Sequence, residues 1–353
     1  MTIKRKDSIR GLLINILALL ALSLVIFLLD RSNMINDYIR SILVQCCYTI
    51  IMVGALNLAI GFLGQIALGH AGFMAVGAYT SALVTKAIKE GVASGAIAPV
   101  PDLALLFIGL LSGAVMAALL GLIVGVPALR LRGDYLAIIT LGFGEIIRII
   151  IQSLPFAGGN GLGSGQAGQP LIMVPIMNNI YVIMCITAVC IGLMYAFVRS
   201  KYGRAIMAIR DDDIASGSVG VNNTFYKVLT FTISALFAGI AGSLFAHRGL
   251  GTLSQNDFTF MKSTEYVIMV VLGGMGSLTG SIIAAISLSI LPEALRAFSN
   301  YRMLVYSVVL IIVMIFRPIG LCGSYEFSLY RILRKWWSRI FSNPGHSAAK
   351  GGK

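Results

Sequence analysis

The sequence predicts an all-α polytopic membrane protein with about 8–10 transmembrane helices. Three observations support this fold class. The 353-residue chain is 58% hydrophobic and only 12% charged, whereas an ordinary soluble domain has about 25% charged residues. Its mean hydropathy is +0.89. Long apolar runs follow one another along the chain, and their charged residues are confined to the ends. A lipid-facing surface needs such composition, while a soluble core of this length would need a charged coat.

The apolar runs locate the predicted spans in order. A bilayer core of about 30 Å needs roughly 20 apolar residues per helix. The clear runs are residues 11–29, 38–60, 66–85, 103–127, 135–151, 176–198 and 228–246, and two further stretches follow at 264–291 and 301–316. No small-residue cleavage site follows the first run, so we expect it to stay as an anchor.

Lysine and arginine favour the cytoplasmic side of a membrane, and their distribution predicts an orientation. The N-terminal segment 1–10, the loop 199–227 and the tail 318–353 are basic and are expected inside, with a transmembrane domain at 11–317 between the two ends. Two full crossings after the seventh span would leave the basic tail outside. The stretch 264–291 is therefore predicted to be two short helices, broken at Gly273 and Gly274, that enter and leave from the same face. A continuous glycine-kinked helix is the alternative.

Charge and cysteine usage exclude other classes of protein. The net charge is +13, but lysines and arginines flank apolar runs instead of forming one stripe, which argues against nucleic-acid binding. The five cysteines have no CxxC spacing and are expected to be small buried hydrophobes. No catalytic residue and no metal site is predicted.

Polar side chains inside spans are costly and are candidates for function, as are glycines that let backbones approach closely. The translocation-pathway candidates are Gln65, Gly69, His70, Gly72, Thr140, Gly273 and Gly274. His70 fits a packing or hydrogen-bonding role better than that of a proton carrier. Glu145 and Arg148 are three residues apart and are expected to neutralise one another on one helix face.

Four glycine-containing motifs occur in order along the chain. They are GFLGQIALGHAGFMAVGAY at 61–79, LRLRGDYLAIITLGFGEIIR at 129–148, YGRAIMAIRDDD at 202–213 and VLGGMGSLTG at 271–280. The chain resembles, in these motifs and in the closing RPIGLCG at 317–323, the membrane subunits of branched-chain amino-acid ABC importers. The resemblance covers roughly residues 38–323 and points to the longer of the two permease subunits.

The resemblance implies an ABC importer permease fold that carries leucine, isoleucine and valine across a prokaryotic inner membrane, with both termini cytoplasmic. The implied partners are a homologous second permease subunit, cytoplasmic ATP-binding subunits and an extracytoplasmic substrate-binding protein. The chain lacks the Gly-x-x-x-x-Gly-Lys-Ser/Thr loop that cradles phosphates. ATP hydrolysis is therefore expected from another polypeptide, and no cofactor is expected in this one.

The loop 199–227 is the predicted docking site for that ATPase, and the resemblance implies that it is a coupling helix. A short helix is expected from Gly203 to Gly220. The candidate contacts are Gly203, Arg204, Arg210, Asp211, Asp212, Asp213, Ala215 and Gly220. The Glu-Ala-Ala of the general importer pattern is replaced here by Ile214-Ala215-Ser216.

Three alternative functions stay open at this point. The same architecture can import urea, a short amide or a sugar. An ion-coupled carrier would work without nucleotide, although no carboxylate is stranded alone deep in a span. A membrane enzyme would need a metal held by Asp134 and the aspartates at 211–213, but these aspartates sit among basic residues, which favours a docking face.

Overall fold

The computed structural model of the protein describes residues 36–94, 100–129, 131, 133–154, 180–248, 253–298, 301–316, 320, 321 and 323. The predicted first span at 11–29, the segment 1–10, most of the loop 153–175 and nearly all of the tail 318–353 lie outside the described residues. Every regular element within the described ranges is helical, which confirms the predicted all-α class.

The helices follow the predicted spans closely. In chain order they are α1 (Asp37–Asn57), extended by a π-helical turn (Leu58–Phe62), α2 (His70–Ala93), α3 (Asp102–Ala128), α4 (Asp134–Ser153), α5 (Ile180–Arg199), α6 (Lys201–Asp211), α7 (Asp213–Ser218), α8 (Asn223–Ala246), α9 (Phe260–Gly273), α10 (Leu278–Ala294) and α11 (Arg302–Phe316). Short 3₁₀ turns precede α9 and follow α10. Within the described residues, α1 with its π turn, α2, α3, α4, α5 and α8 are the 6 helices long and apolar enough to cross a membrane.

α2 differs from its predicted span at both ends. The prediction was residues 66–85, whereas the helix begins at His70 and ends at Ala93. The preceding segment is irregular because Gly64 has a φ of +76°, a conformation that glycine adopts without steric cost. The helix continues about two turns past residue 85, and in this part Lys86 and Glu90 lie four residues apart and form a 3.8 Å ion pair.

The predicted break in the stretch 264–291 is confirmed. α9 ends at Gly273 and α10 begins at Leu278. Between them Gly274 and Gly276 have φ values of +109° and +86°, which side chains of other residues disfavour. The alternative of one continuous, glycine-kinked helix is therefore wrong.

The two outer ends of this pair lie at one end of the helix bundle, and the break lies at the other. Thr259, just before α9, and Pro292, near the end of α10, border the same cavity. At the break, a Cβ atom on Gly276 would lie 2.9 Å from the guanidinium of Arg210 in α6. The chain thus enters and leaves this hairpin at the same end of the bundle, as was predicted from the basic charge of the tail.

Within the bundle, α2, α3 and α8 pack against one another backbone to backbone. A Cβ atom added to Gly77 of α2 would lie 2.5 Å from the Cα atom of Gly239 in α8. One added to Gly113 of α3 would lie 2.6 Å from the carbonyl oxygen of Gly77. Small residues permit such close approach between membrane helices. By contrast, the outer face of α3 exposes large apolar side chains such as Leu111 and Ile123, as a lipid-facing helix does.

Candidate functional site

The chain leading into α2 lies against α4, where three predicted pathway residues meet. A Cβ atom on Gly69 would overlap the carbonyl group of Thr140, and the Leu68 N–H donates to the Thr140 hydroxyl at 3.1 Å. One turn later, a Cβ atom on Gly72 would lie 2.8 Å from the Cα atom of Gly144. Gly69, Gly72 and Thr140 are therefore brought together in a close contact between two helices.

His70 belongs to a hydrogen-bonded chain that joins three helices. Its Nε2 atom is 2.7 Å from the hydroxyl of Ser234 in α8, and that hydroxyl donates to the carbonyl oxygen of Ala55 in α1. Since a hydroxyl has only one proton, His70 Nε2 must be the donor. The imidazole is buried and lies edge-on to the rings of Phe73 and Phe231.

Gln65 lies just before this contact and is half-buried. Its backbone N–H donates to the carbonyl oxygen of Ala59 in the π-helical turn at 3.1 Å. Its side-chain Oε1 atom is buried and has no hydrogen-bond partner within the described part of the chain. A role for Gln65 in the pathway stays a prediction, as it does for His70.

The break between α9 and α10 is enclosed by backbone from the closing motif. Gly273 packs on the first turn of α10. A Cβ atom on Gly274 would lie 2.5 Å from the carbonyl oxygen of Gly323, and the Leu321 N–H donates to the carbonyl oxygen of Leu272 at 2.7 Å. The break is therefore held in shape by residues almost fifty positions further along the chain.

The predicted coupling loop folds as two helices, where the sequence predicted one from Gly203 to Gly220. The extended residue Asp212 separates α6 from α7. Its carboxylate accepts hydrogen bonds from the N–H groups of Ile214 and Ala215, each at 2.9 Å. Aspartate competes well as an N-cap, so it starts a new helix here instead of continuing the first. We call the two helices together the connector.

The three consecutive aspartates of the connector have different surroundings. Asp211 is exposed and Asp212 caps α7, whereas the Asp213 carboxylate pairs with the Lys227 ammonium at 2.8 Å. Asp213 also accepts from the Asn223 amide at 2.8 Å. These bonds fasten α7 to the start of α8. The separate partners of Asp212 and Asp213 favour a structural role over a shared metal ion.

The other connector candidates divide into buried and exposed residues. Gly203 is buried against the backbone of Val198. Arg204 is exposed and its guanidinium donates to the carbonyl oxygen of Arg199 at 3.3 Å. Ala215 is exposed on α7, and Gly220 follows that helix with a φ of +87°.

Exposed apolar side chains on and beside the connector were missed by the sequence reasoning. Ile214 is 75% exposed, Val219 84% and Phe225 53%. None of the three belongs to a long apolar run in the sequence, so hydropathy does not mark them. What could have identified them in the sequence is that each is a hydrophobic residue in a loop already predicted to be cytoplasmic.

The predicted Glu145–Arg148 pair forms and has a second role. The Arg148 Nε atom donates to Glu145 Oε2 at 2.7 Å. The other carboxylate oxygen accepts the N–H of Phe260, the first residue of α9, at 3.0 Å. A carboxylate is favourable there because the first N–H groups of a helix lack intrahelical partners.

A cavity of about 570 Å³ lies at the end of α8 remote from the connector. Its described lining is Tyr48, Phe245, Arg248, Asn256, Asp257, Thr259, Met261, Lys262, Thr264, Glu265, Ile268, Pro292 and Ser307. Two ion pairs belong to this lining: Arg248 with Asp257 at 3.6 Å and Lys262 with Glu265 at 2.7 Å. None of the seven predicted pathway residues is among these lining residues. The signal in the sequence is four charges of alternating sign, Arg248, Asp257, Lys262 and Glu265, between two apolar segments.

The connector and the cavity lie at opposite ends of one helix. Asp213 of the connector is bonded to Asn223 and Lys227 in the first turns of α8, whereas Phe245, in its last turn, lines the cavity. α8 has 24 residues, which at 1.5 Å per residue is about 36 Å. That length exceeds the roughly 30 Å of a bilayer core, so the two features face opposite sides of a membrane.

These features define a multi-pass helical membrane protein, and comparison with known proteins identifies its family. The model of the family described as the permease component of branched-chain amino acid transport systems matches residues 38–316.

The high-affinity branched-chain amino acid transport system permease protein LivM of Escherichia coli K12 is 37% identical over 301 residues, covering 78% of this chain and 67% of that protein. LivM of Salmonella typhimurium LT2 matches to the same extent. The permease protein LivH of Escherichia coli K12 is 30% identical over 148 residues, covering 41% of this chain and 47% of that protein. No solved structure matched. The chain belongs to the branched-chain amino acid transport permease family.

Proposed function

We propose that this protein is one membrane-spanning subunit of an ATP-driven importer for leucine, isoleucine and valine. The observation that carries the proposal is the pairing of a connector with exposed apolar side chains at one end of α8 and a charged cavity at the other. The names of the relatives support the substrate class. The resemblance to both LivM and LivH supports a homologous second permease subunit as partner.

A separate ATP-binding subunit would dock on the connector. The sequence has no phosphate-binding loop of its own, so the energy must come from a partner. Ile214 and Val219 present apolar surface that water does not favour and a partner would cover. The basic residues of the loop 199–227 and of both ends of the chain support a cytoplasmic side for this end of the bundle and for both termini.

The cavity would receive the substrate from an extracytoplasmic binding protein. Its volume of about 570 Å³ falls within the range of small-molecule sites. A zwitterionic amino acid presents a carboxylate to Arg248 or Lys262 and an ammonium group to Asp257 or Glu265, while Ile268 offers apolar surface to its side chain. The two ion pairs favour such a zwitterion over a neutral solute such as urea or a sugar.

Uptake of labelled leucine into cells with and without the gene tests the substrate. Deletion is expected to abolish ATP-dependent leucine uptake, and unlabelled isoleucine and valine are expected to compete in the wild type. Leucine uptake that survives deletion, with loss of urea or ribose uptake instead, would refute the substrate assignment. Uptake that is independent of ATP would refute the importer class.

Copurification tests the docking surface. Val219→Asp places a charge in the exposed apolar surface and is expected to reduce recovery of the ATP-binding subunit by about tenfold, the equivalent of about 1.4 kcal/mol. Thr224→Asp is the matched control, because Thr224 is exposed close by and its replacement adds the same charge without removing apolar surface. Equal recovery with both variants would place the docking surface elsewhere.

A further inference from the structure

Three separate parts of the chain meet at the end of the bundle that carries the connector. They are the π-helical turn after α1, the break between α9 and α10, and the last turn of α6. Gly61 of the turn and Gly276 of the break touch backbone to backbone, since a Cβ atom on Gly276 would lie 3.3 Å from the carbonyl oxygen of Gly61. A side chain at either position would push the two parts of the chain apart.

Asn57 fastens the turn to the break. Its side chain is fully buried. The amide oxygen accepts from the N–H of Gly276 at 3.0 Å, and the amide nitrogen donates to the Ser277 carbonyl oxygen at 3.0 Å and to the Ser281 hydroxyl at 2.8 Å. Both polar atoms of the amide are therefore bonded to the break and to the start of α10. We call Asn57, Gly61, Gly276 and Ser277 the glycine junction.

Arg210 reaches from the connector into the glycine junction. Its Nη1 atom donates to the carbonyl oxygen of Gly61 at 2.6 Å. Carbonyl groups in the last turn of a helix lack intrahelical donors and lie at the negative end of its dipole, so a guanidinium is a favourable partner. The side chain fits because its neighbours are glycines: a Cβ atom would lie 2.9 Å from Arg210 Cγ if added to Gly64, and 2.9 Å from Nη1 if added to Gly276.

We propose that Arg210 is a positioning residue that transmits movement of the connector to the break between α9 and α10. The inference rests on the proposed function, in which an ATP-binding subunit moves the connector. Arg210 is in the last turn of α6, two residues before Asp212, which caps α7, and its guanidinium contacts the π-helical turn and the break together. A displacement of α6 therefore shifts both parts of the glycine junction at once.

The break between α9 and α10 is the part of the glycine junction that can change its backbone conformation when α6 moves. Helix interiors resist bending because each residue has its own backbone hydrogen bond, whereas residues between helices absorb changes in φ and ψ. The other ends of α9 and α10 border the charged cavity. A change in the angle between these helices at the glycine junction consequently changes the shape of the cavity at the opposite end of the bundle.

The test compares transport with ATP hydrolysis in the same vesicles. The complete complex, purified from its native cells by a tag on this chain, is reconstituted with its binding protein, and labelled leucine uptake and phosphate release are measured together. Arg210→Met keeps the length of the side chain but removes the donor, and Arg210→Lys restores a cation. Arg296→Lys is the control, because Arg296 is 67% exposed, pairs with Glu293 and lies over the Tyr38 ring, all outside the connector and the cavity lining, and lysine keeps the charge.

Leucine transported per ATP is expected to fall about tenfold or more in Arg210→Met, to recover in part in Arg210→Lys and to stay at the wild-type value in Arg296→Lys. Gly276→Ala, which displaces the same guanidinium, is expected to lower the ratio of leucine transported to ATP hydrolysed as well. The double variant with Arg210→Met should be no worse than the worse single variant.

A purely structural role would lower the rates of leucine uptake and of ATP hydrolysis in proportion to the amount of complex. An unchanged ratio in Arg210→Met therefore overturns this inference but not the proposed function. Absence of ATP-dependent leucine uptake in the wild-type complex would overturn the proposed function and the inference with it.

Discussion

Replacing Gly77 by alanine tests whether backbone contact between α2 and α8 holds the membrane core together. The added Cβ atom would lie 2.5 Å from the Cα atom of Gly239, while ordinary contacts begin at 3.4 Å. The two helices must therefore separate locally by about 0.9 Å or deform. A gap of 0.5–1 Å forfeits about a quarter to a half of the attraction between the facing atoms.

The expected loss of stability follows from opposing effects. Overfilling a close-packed interior costs about 1–3 kcal/mol, and the better helix propensity of alanine returns at most about 1 kcal/mol. We expect Gly77→Ala to lower the free energy of unfolding by about 1–2 kcal/mol. At the upper end this reduces the ratio of folded to unfolded protein roughly thirtyfold.

Titration of the full-length protein with sodium dodecyl sulfate in mild detergent micelles, followed by circular dichroism, measures this loss. Gly142→Ala is the matched control: it is also a glycine inside an apolar helix, but a Cβ atom added there has no neighbour within 4 Å among the described residues. Its unfolding midpoint is expected to stay unchanged or to rise slightly. Equal midpoints for the two variants would show that close approach at Gly77 does not stabilise the bundle.

Three further substitutions test individual contacts. Asp212→Ala removes both bonds that cap α7 and is expected to cost about 1 kcal/mol of local helix stability, seen as faster amide exchange in α7. Asp211→Ala removes no cap and should leave that exchange unchanged. Ser234→Ala leaves the buried Nε2–H of His70 without its acceptor and is expected to cost about 1–3 kcal/mol in the detergent titration; an unshifted midpoint would contradict the hydrogen-bonded chain. Glu145→Ala is expected to destabilise the protein more than Glu145→Gln, because only glutamine keeps an acceptor for the first N–H of α9; equal effects would mean that this bond contributes little.

The sequence predicted the helices well because their apolar runs are long and their ends are charged. It predicted the break between α9 and α10 from two independent sources, the glycines and the basic tail. It failed at the connector, where local hydrogen bonding by Asp212 outweighs the helical preference of its neighbours. The exact start of α2 was also missed, because helix ends depend on turn geometry such as the positive φ of Gly64.

The candidate site could be predicted only in part. Asn57 is visible in the sequence as a polar residue within an apolar run, but nothing in the sequence indicates that its partners are Gly276, Ser277 and Ser281, more than two hundred positions away. Arg210 was predicted as a docking residue from its loop, whereas its contact with Gly61 depends on how two distant parts of the chain fold together. Contacts of this kind follow from the three-dimensional arrangement and leave no local pattern.

The backbone contacts among α2, α3 and α8 have a consequence for measuring how the protein moves. Helices that touch through Gly77, Gly113 and Gly239 have no side-chain layer that can rearrange between them, so these three helices should keep their mutual distances in every conformation. They supply a fixed reference frame inside the molecule. A spectroscopic label on the outer face of α3, paired with one at the exposed Met275 beside the break, would therefore report motion of the α9–α10 hairpin alone.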